Sequence, residues 1–309
     1  MPASLPSASG ALRVRVPGST SNLGPGFDQL GIALDLFLDA RFEAGPSGSG
    51  LAVEAPPGWP SPDQDRLVAC LSDALGQRPD GRLWVESSIP IGRGIGSSGA
   101  ATVAGLLLGC ALAGDLEPDR TRLLARGLRF EGHPDNLGAA LFGGAVASCP
   151  LPEGGAFALP LPLSASLEFA LAWPDQPLFT PAARAVLPEQ ISRQDAVSNA
   201  RHLTLLLAGL ASGRGDLLAR GLEDRWHVPY RLPLLPGSAS AFLAARAAGA
   251  FGATLSGAGS ALLALCPPGR GQAAAEAMAD ELRRATGAGH ARLARVVLDA
   301  PRVERVPAR

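Results

Sequence analysis

The sequence contains no lysine; all 27 of its basic residues are arginine. That absence excludes a Walker A phosphate loop, which ends in Gly-Lys-Ser/Thr and needs the lysine ammonium against the phosphates. Only four cysteines occur, Cys70, Cys110, Cys149 and Cys266, with no C-x-x-C pair and no histidine nearby. Such scatter argues against a disulfide framework or a metal centre and for single thiols in a reducing compartment. No apolar run is long enough to cross a bilayer, and the most apolar stretch, residues 100–113, suits a buried helix. Residues 1–10 lack a basic start and an apolar centre, as expected of a frayed terminus and not of a signal peptide. A net charge of −1 gives no electrostatic ground for a nucleic-acid or anionic-membrane partner. A cytoplasmic location is the expectation.

What is present describes a globular chain. Its 309 residues, 47 % hydrophobic and 18 % charged, suffice for one large or two ordinary domains with full cores. Alternation in Leu12-Arg-Val-Arg-Val16 predicts a strand that breaks at Pro17-Gly18 into a polar turn, and residues 30–42 predict a second strand. Residues 45–62 read as loop, 66–75 as helix, 82–89 as strand, 100–112 as a helix apolar on all faces, and 120–129 as an amphipathic helix. Residues 150–162 hold four prolines and two glycines and read as a linker. Beyond it the order is strand (167–173), helix (195–211), strand (250–255), strand (261–266), helix (272–285) and strand (291–298), with extra helices near 216–222 and 238–248. That β-α-β-β-α-β order is the ferredoxin-like signature. The expected fold is α+β, a two-domain α/β sandwich with a cleft between domains 1–155 and 156–309.

Five segments carry candidate chemistry. The first, Pro90-Ile-Gly-Arg-Gly-Ile-Gly-Ser-Ser-Gly-Ala-Ala101, leads from a strand into the apolar helix. It is either a plain strand-to-helix turn or an anion site, where bare backbone N–H groups and the positive end of the helix dipole converge on phosphate. A dinucleotide fold is disfavoured, because no acidic residue on a strand follows at the distance that fold requires. Glu131-Gly-His-Pro-Asp-Asn136 gathers His133, Asp135 and Asn136 on a turn stiffened by Pro134. It is either a helix-capping turn or a group that holds a cation or orients an attacking hydroxyl. Ser19-Thr-Ser-Asn-Leu-Gly-Pro-Gly-Phe-Asp28 presents Asn22 and Asp28 from a rigid connection, where each could also serve its own backbone. Arg184 and Arg231 lie beside prolines on apolar segments and are candidates for a carboxylate clamp, against the alternative of solvated surface. Thr254-Leu-Ser-Gly-Ala-Gly-Ser260 is either a hairpin or a second wall of the phosphate site.

In this order the five segments resemble the GHMP kinases, over residues 13–265. The glycine-serine loop is similar to that family's nucleotide-phosphate loop. The segments around Asp28, Glu131–Asn136 with Phe142-Gly-Gly144, Arg184 and Arg231 resemble its homoserine-phosphorylating branch. The resemblance implies an N-terminal α/β nucleotide-binding domain, a C-terminal ferredoxin-like domain, and transfer of the ATP γ-phosphate to L-homoserine with Mg²⁺. It implies nucleotide contacts along Pro90, Ile91, Gly92, Arg93, Gly94, Ile95, Gly96, Ser97, Ser98, Gly99 and Ala100, with Ser98 and Glu131 on the metal. It implies homoserine contacts from Asn22, Asp28, His133, Asn136, Arg184 and Arg231: Asp28 for the ammonium and the arginines for the carboxylate. Asn136 would lie near the reacting hydroxyl, and Asp135 would orient or stabilise charge. A homodimer is left open. Three positions depart from the family pattern: Gly99 replaces an alanine, Arg66 an asparagine, and Gly257-Ala-Gly-Ser260 lacks the usual proline. The competing expectations are another GHMP kinase with a mevalonate-like or sugar substrate, and a non-catalytic nucleotide-binding regulator.

Overall fold

The structure is a computed structural model that describes residues 10–308, so the expectation for residues 1–10 lies, Gly10 apart, outside the described residues. The first sheet begins with β1 (Ala11–Ser21) and β2 (Leu30–Ala44), paired antiparallel. Period-two alternation explains its two faces. Leu34, Leu36, Leu38, Ala40 and Phe42 are buried, while Asp35, Phe37, Asp39, Arg41 and Glu43 between them are half-buried. At 15 residues β2 is long enough to serve two further partners. β4 (Gly81–Ser87) runs along residues 38–44, and β5 (Ala145–Pro150) pairs with residues 30–32. β3 (Leu51–Glu54) lies parallel to β4 at the edge, β6 (Ala156–Leu161) pairs with β5, and β11 (Val303–Val306) closes the far edge on β1.

Helices cover one face of this sheet. α2 (Ser97–Leu112) and α4 (Asp135–Phe142) pack on β1, with α1 (Arg66–Leu75) and α3 (Arg120–Glu131) against α2. α2 is buried along most of its length, which is why it carries no polar stripe. Its approach to α1 depends on Gly105, where a Cβ would strike the Leu67 carbonyl and lie 2.8 Å from Cys70 Cβ. α1 itself is bounded by an Asp65 N-cap, which accepts from Leu67 N, and by Gly76 in the left-handed region.

The second sheet has the order β10-β7-β9-β8, built from β7 (Glu168–Trp173), β8 (Gly252–Leu255), β9 (Leu262–Cys266) and β10 (His290–Ala294), all antiparallel. Numbered by chain order within this unit, that is 4-1-3-2, the ferredoxin-like arrangement. α9 (Ser238–Ala247) and α10 (Gly271–Thr286) cover one face through a small-residue core of Ala170, Ala264, Ala275 and Met278. On the other face Phe169, Leu171, Leu263 and Leu265 join α6 (Arg193–Ser212) and α7 (Gly215–Gly221) in one core continuous with the first sheet.

Several expectations are corrected. The linker read at residues 150–162 contains β6; Pro160 is tolerated there because β6 is an edge strand pairing only with β5. The loop read at 45–62 contains β3, and the turn after Pro17 begins only beyond Ser21. The last expected strand, 291–298, stops at Ala294; Val297 N then donates to Ala33 O at 3.1 Å, tying the second sheet's final connection to β2. β6 and β11 therefore belong to the first sheet although both lie after residue 155. Among the described residues, no helix is long and apolar enough to cross a membrane.

Close packing of α1 on α2 gives the first prediction. Replacing Gly105 by valine should destabilise the fold by about 1–3 kcal/mol through overpacking. A urea denaturation curve with an unchanged midpoint would show that the helices do not depend on this contact.

Candidate active site

A cleft of about 760 Å³ opens between the two sheets. Its floor is the glycine loop before α2. Gly92, Gly94 and Gly96 have φ of 71°, 74° and 71°, left-handed values that side chains resist. At Gly94 a Cβ would strike the Ser256 carbonyl and stand 2.8 Å from that of Gly259, so the loop lies with backbone against backbone on the turn between β8 and β9. Ser256 Oγ donates to Gly94 O at 2.7 Å, and Ala261 N donates to Arg93 O at 2.9 Å. α2 starts from Gly96 with no side-chain cap. Its first-turn N–H groups therefore keep no intrahelical partner and, with the dipole, face the cleft beside Ser97, Ser98 and Gly99.

The loop does not present all of its residues to the cleft. Gly92, Gly94, Gly96, Ser97, Ser98, Gly99 and Ile91 line it, but Pro90, Arg93, Ile95 and Ala100 do not. Ile95 and Ala100 are fully buried in the core under the loop. Arg93 turns outward and donates to the carbonyls of Ile91 and Asp175. Turning the chain at alternate left-handed glycines sends the intervening residues to the opposite side.

At one edge of the helix terminus, Ser98 Oγ donates to Glu131 Oε1 at 2.6 Å and Thr102 Oγ1 donates to the same oxygen at 2.8 Å. Arg66 stands 3.5 Å from that oxygen. Trp59, Pro60 and Gln64 extend the cleft wall beside Arg66; no sequence signal singled them out. Among the described residues, no three His, Cys, Asp or Glu side chains gather as metal ligands.

His133, Asp135 and Asn136 meet at the start of α4. Asp135 is 2 % exposed; its Oδ1 lies 3.1 Å from His133 Nδ1 and accepts from Asn136 N at 2.7 Å. Burial pushes the Asp135 carboxyl up, but the hydrogen bond and charge of His133, with the Asn136 N–H, outweigh it and hold the group below the usual range. His133 is raised above 6.5, first by its hydrogen bond to Asp135, with burial opposing. Asn136 is oriented by β1: Oδ1 accepts from Ser19 Oγ at 2.8 Å and Nδ2 donates to Ser21 Oγ at 2.9 Å.

Across the cleft the charges come from both halves of the chain. Arg184, on α5 (Thr180–Ala185), forms a two-pronged pair with Asp28: Nη1 to Oδ2 at 3.0 Å and Nη2 to Oδ1 at 2.6 Å. Asn22 lines the same recess, but both ends of its amide serve the backbone. Nδ2 donates to Gly257 O at 2.7 Å and Oδ1 accepts from Asp28 N at 2.9 Å. Arg231, on α8 (Val228–Arg231), is 1 % exposed, donates to the carbonyls of Ala183 at 3.1 Å and Gly257 at 3.3 Å, and sits over the Phe27 ring. Burial, then the like charge of Arg184, lowers its pKa to about 10. It remains a cation at neutral pH.

An uncapped helix terminus beside a recess of one carboxylate and two guanidinium groups is suited to a phosphorylated ligand next to a small zwitterion. Residues 65–144 match the GHMP kinases N terminal domain and residues 206–284 match the GHMP kinases C terminal. The chain belongs to the GHMP kinase family, phosphotransferases that use ATP. Within that family it groups with the homoserine kinases. It is 42 % identical over 274 residues to the homoserine kinase of Synechococcus sp. (strain RCC307), covering 86 % of this chain and 87 % of that one. The structure of homoserine kinase from Cytophaga hutchinsonii superposes with a TM-score of 0.80 at 26 % identity, covering 98 % of this chain and 100 % of the other. A putative homoserine kinase from Listeria monocytogenes superposes with a TM-score of 0.77 at 27 % identity, covering 95 % and 99 %.

The His133–Asp135 pair gives a prediction whose sign follows from the raised histidine. The pair stabilises the fold below pH 6.5, and that contribution is lost as pH rises through the higher folded-state pKa. A histidine NMR titration should place His133 above 6.5, and Asp135→Asn should bring it back toward or below 6.5. A titration that does not respond to this substitution would break the link.

Proposed function

We propose that this chain transfers the γ-phosphoryl group of ATP to the side-chain hydroxyl of L-homoserine, giving O-phospho-L-homoserine and ADP. The observation that carries the reading is the charge set of the recess: Asp28, Arg184 and Arg231 beside the uncapped start of α2. An amino acid with both backbone charges needs one carboxylate and one or two guanidinium groups. Asp28 and Arg184 satisfy each other across the recess. Homoserine would enter by exchange, its ammonium taking Asp28 and its carboxylate taking Arg184 and Arg231. A mevalonate or sugar substrate has no ammonium for Asp28, which disfavours the other small-molecule kinases as models.

The triphosphate would lie on the N–H groups of Ser97, Ser98 and Gly99 with the α2 dipole behind them. Phosphoryl transfer through a loose transition state needs alignment and charge neutralisation more than proton removal. The new bond joins the homoserine oxygen to the γ-phosphorus as the bridge to the β-phosphate breaks. Asp135 is a poor base because it is held anionic below the usual carboxylate range. Its part in this reading is to fix His133 and Asn136 and to stabilise charge, while the hydroxyl proton leaves with the phosphoryl oxygens or to water. Ser98 and Glu131 offer adjacent oxygen donors of the kind Mg²⁺ takes. They fit that ion and would hold it, and it would supply neutralisation of triphosphate charge. The reaction belongs in the cytoplasm, where ATP and amino acids are pooled.

An ADP-release assay over L-homoserine, other hydroxy amino acids and mevalonate tests the reading, with L-homoserine expected as the best substrate. Arg184→Ala removes a charge-assisted hydrogen bond of about 1.5–3 kcal/mol. It should raise KM for homoserine about 10- to 100-fold and leave KM for ATP unchanged. Preference for mevalonate, or an unaltered homoserine KM in the variant, would overturn it.

A further inference from the structure

His227 is fully buried and has no part in the chemistry above, yet it touches both sides of the recess. Its Nδ1 lies 3.1 Å from Arg231 Nη1, and its Nε2 lies 3.0 Å from Gly24 O. An arginine only donates hydrogen bonds and a carbonyl only accepts them. Nδ1 must therefore be bare to receive the guanidinium N–H, and Nε2 must carry the proton it gives to Gly24. Two neighbours thus dictate one neutral tautomer. The ring also stacks on Phe27, with centroids 5.0 Å apart and planes at 24°; the Arg184 and Arg231 guanidinium groups lie over the same Phe27 ring.

The segment that His227 contacts bends through the left-handed region of the backbone. Asn22, Leu23 and Asp28 have φ of 70°, 49° and 58°, a left-handed conformation that asparagine and aspartate tolerate and that is costly for Leu23. Gly24 lies inside that run, so the imidazole bond tethers the loop that presents Asp28. At its other nitrogen the same ring fixes the guanidinium that faces Asp28 across the recess. His227 is itself anchored. Asp224 accepts from the N–H groups of Trp226, His227 and Val228 at 3.0, 2.8 and 2.7 Å, and from Asn199 Nδ2 on α6 at 2.8 Å.

We propose that His227 is a positioning residue for the amino-acid substrate: one neutral imidazole sets Arg231 and the Asp28 loop at the spacing that homoserine must bridge. The proposal rests on the reading of the recess as a homoserine site. The charged groups around the ring are consistent with the neutral form. Burial lowers the His227 pKa to about 4, against the pull of Asp224 and Asp28 and with the push of Arg231 at the end of α8.

Three variants separate the two contacts. Phenylalanine keeps the stacking and loses both hydrogen bonds. Asparagine can place an acceptor toward Arg231, and glutamine can place a donor toward Gly24. His227→Phe should raise KM for L-homoserine about 10- to 100-fold, leaving kcat and KM for ATP within about threefold, the pattern of lost uniform binding. His227→Asn and His227→Gln should each restore part of the loss. If the phenylalanine variant does not fold, the other two carry the comparison with wild type. An unchanged homoserine KM in them, or homoserine and ATP KM rising together, would overturn the proposal. Nitrogen NMR of the wild-type protein gives a readout independent of activity. At about pH 6, near the ordinary histidine midpoint, His227 should appear as the neutral Nε2–H tautomer. An imidazolium or Nδ1–H signal would also overturn the proposal. A wild-type enzyme inactive on homoserine but showing the expected tautomer would count against the substrate reading and leave the tether itself in place.

Discussion

The cleft depends on three stretches of backbone lying directly against one another: the loop before α2, the β8–β9 turn and the end of β1. The loop before α2 touches the β8–β9 turn at Gly94 and β1 at Gly96, where Ser19 N donates to Ile95 O at 3.2 Å. Gly257 N in turn donates to Ser21 O at 3.0 Å. Each sheet contributes one wall, and the glycine loop is wedged between them. A single Cβ at Gly94 would strike the backbone of the β8–β9 turn, so the two could not keep this approach. Packed this closely, the bare amides and the helix terminus give the loop a positive end without any ammonium side chain.

The same junction brings charges together that neither sheet could assemble alone. Asp28 leaves the first sheet between β1 and β2, while Arg184 and Arg231 arrive on short helices inserted between β7 and β8. Those insertions are what distinguish the second half from a bare ferredoxin-like unit. The polar residues nearest the glycine loop serve mainly to hold one another. Asn136 is clasped by Ser19 and Ser21, Asn22 by Gly257 and Asp28, and Asp135 by His133. Preorganisation of this kind lets fixed dipoles act on a transferring phosphoryl group without reorganising first.

Local pattern made some of this legible in the sequence. The strand expected at residues 30–42 was readable as a largely apolar run and extends to Ala44, and α1 has the predicted bounds, Arg66–Leu75. β3 and β11, four residues each and partly exposed, were not readable, whereas β8, equally short, stood out as a continuous, largely apolar run that is buried throughout. β6 was hidden by Pro160, which a strand with one free edge accepts. The glycine-serine loop announced itself by composition, but composition could not say that Arg93 turns away while Ile95 and Ala100 sink into the core. Pairing was the least legible. Asp28 and Arg184 are 156 positions apart, and His227 and Gly24 are 203 apart. His227 does stand only four residues before Arg231, immediately ahead of α8. Only the fold reveals that its other nitrogen reaches the loop of Asp28.

The proposed reaction turns on an exchange of partners: homoserine would displace the Asp28–Arg184 pair while the amides at the start of α2 would hold a triphosphate beside it. A crystal structure with L-homoserine and a non-hydrolysable ATP analogue tests this most directly. The account predicts Arg184 and Arg231 on the amino-acid carboxylate, Asp28 on its ammonium, and the phosphates against Ser97, Ser98 and Gly99. An intact Asp28–Arg184 pair with homoserine bound elsewhere, or phosphates away from the start of α2, would contradict it.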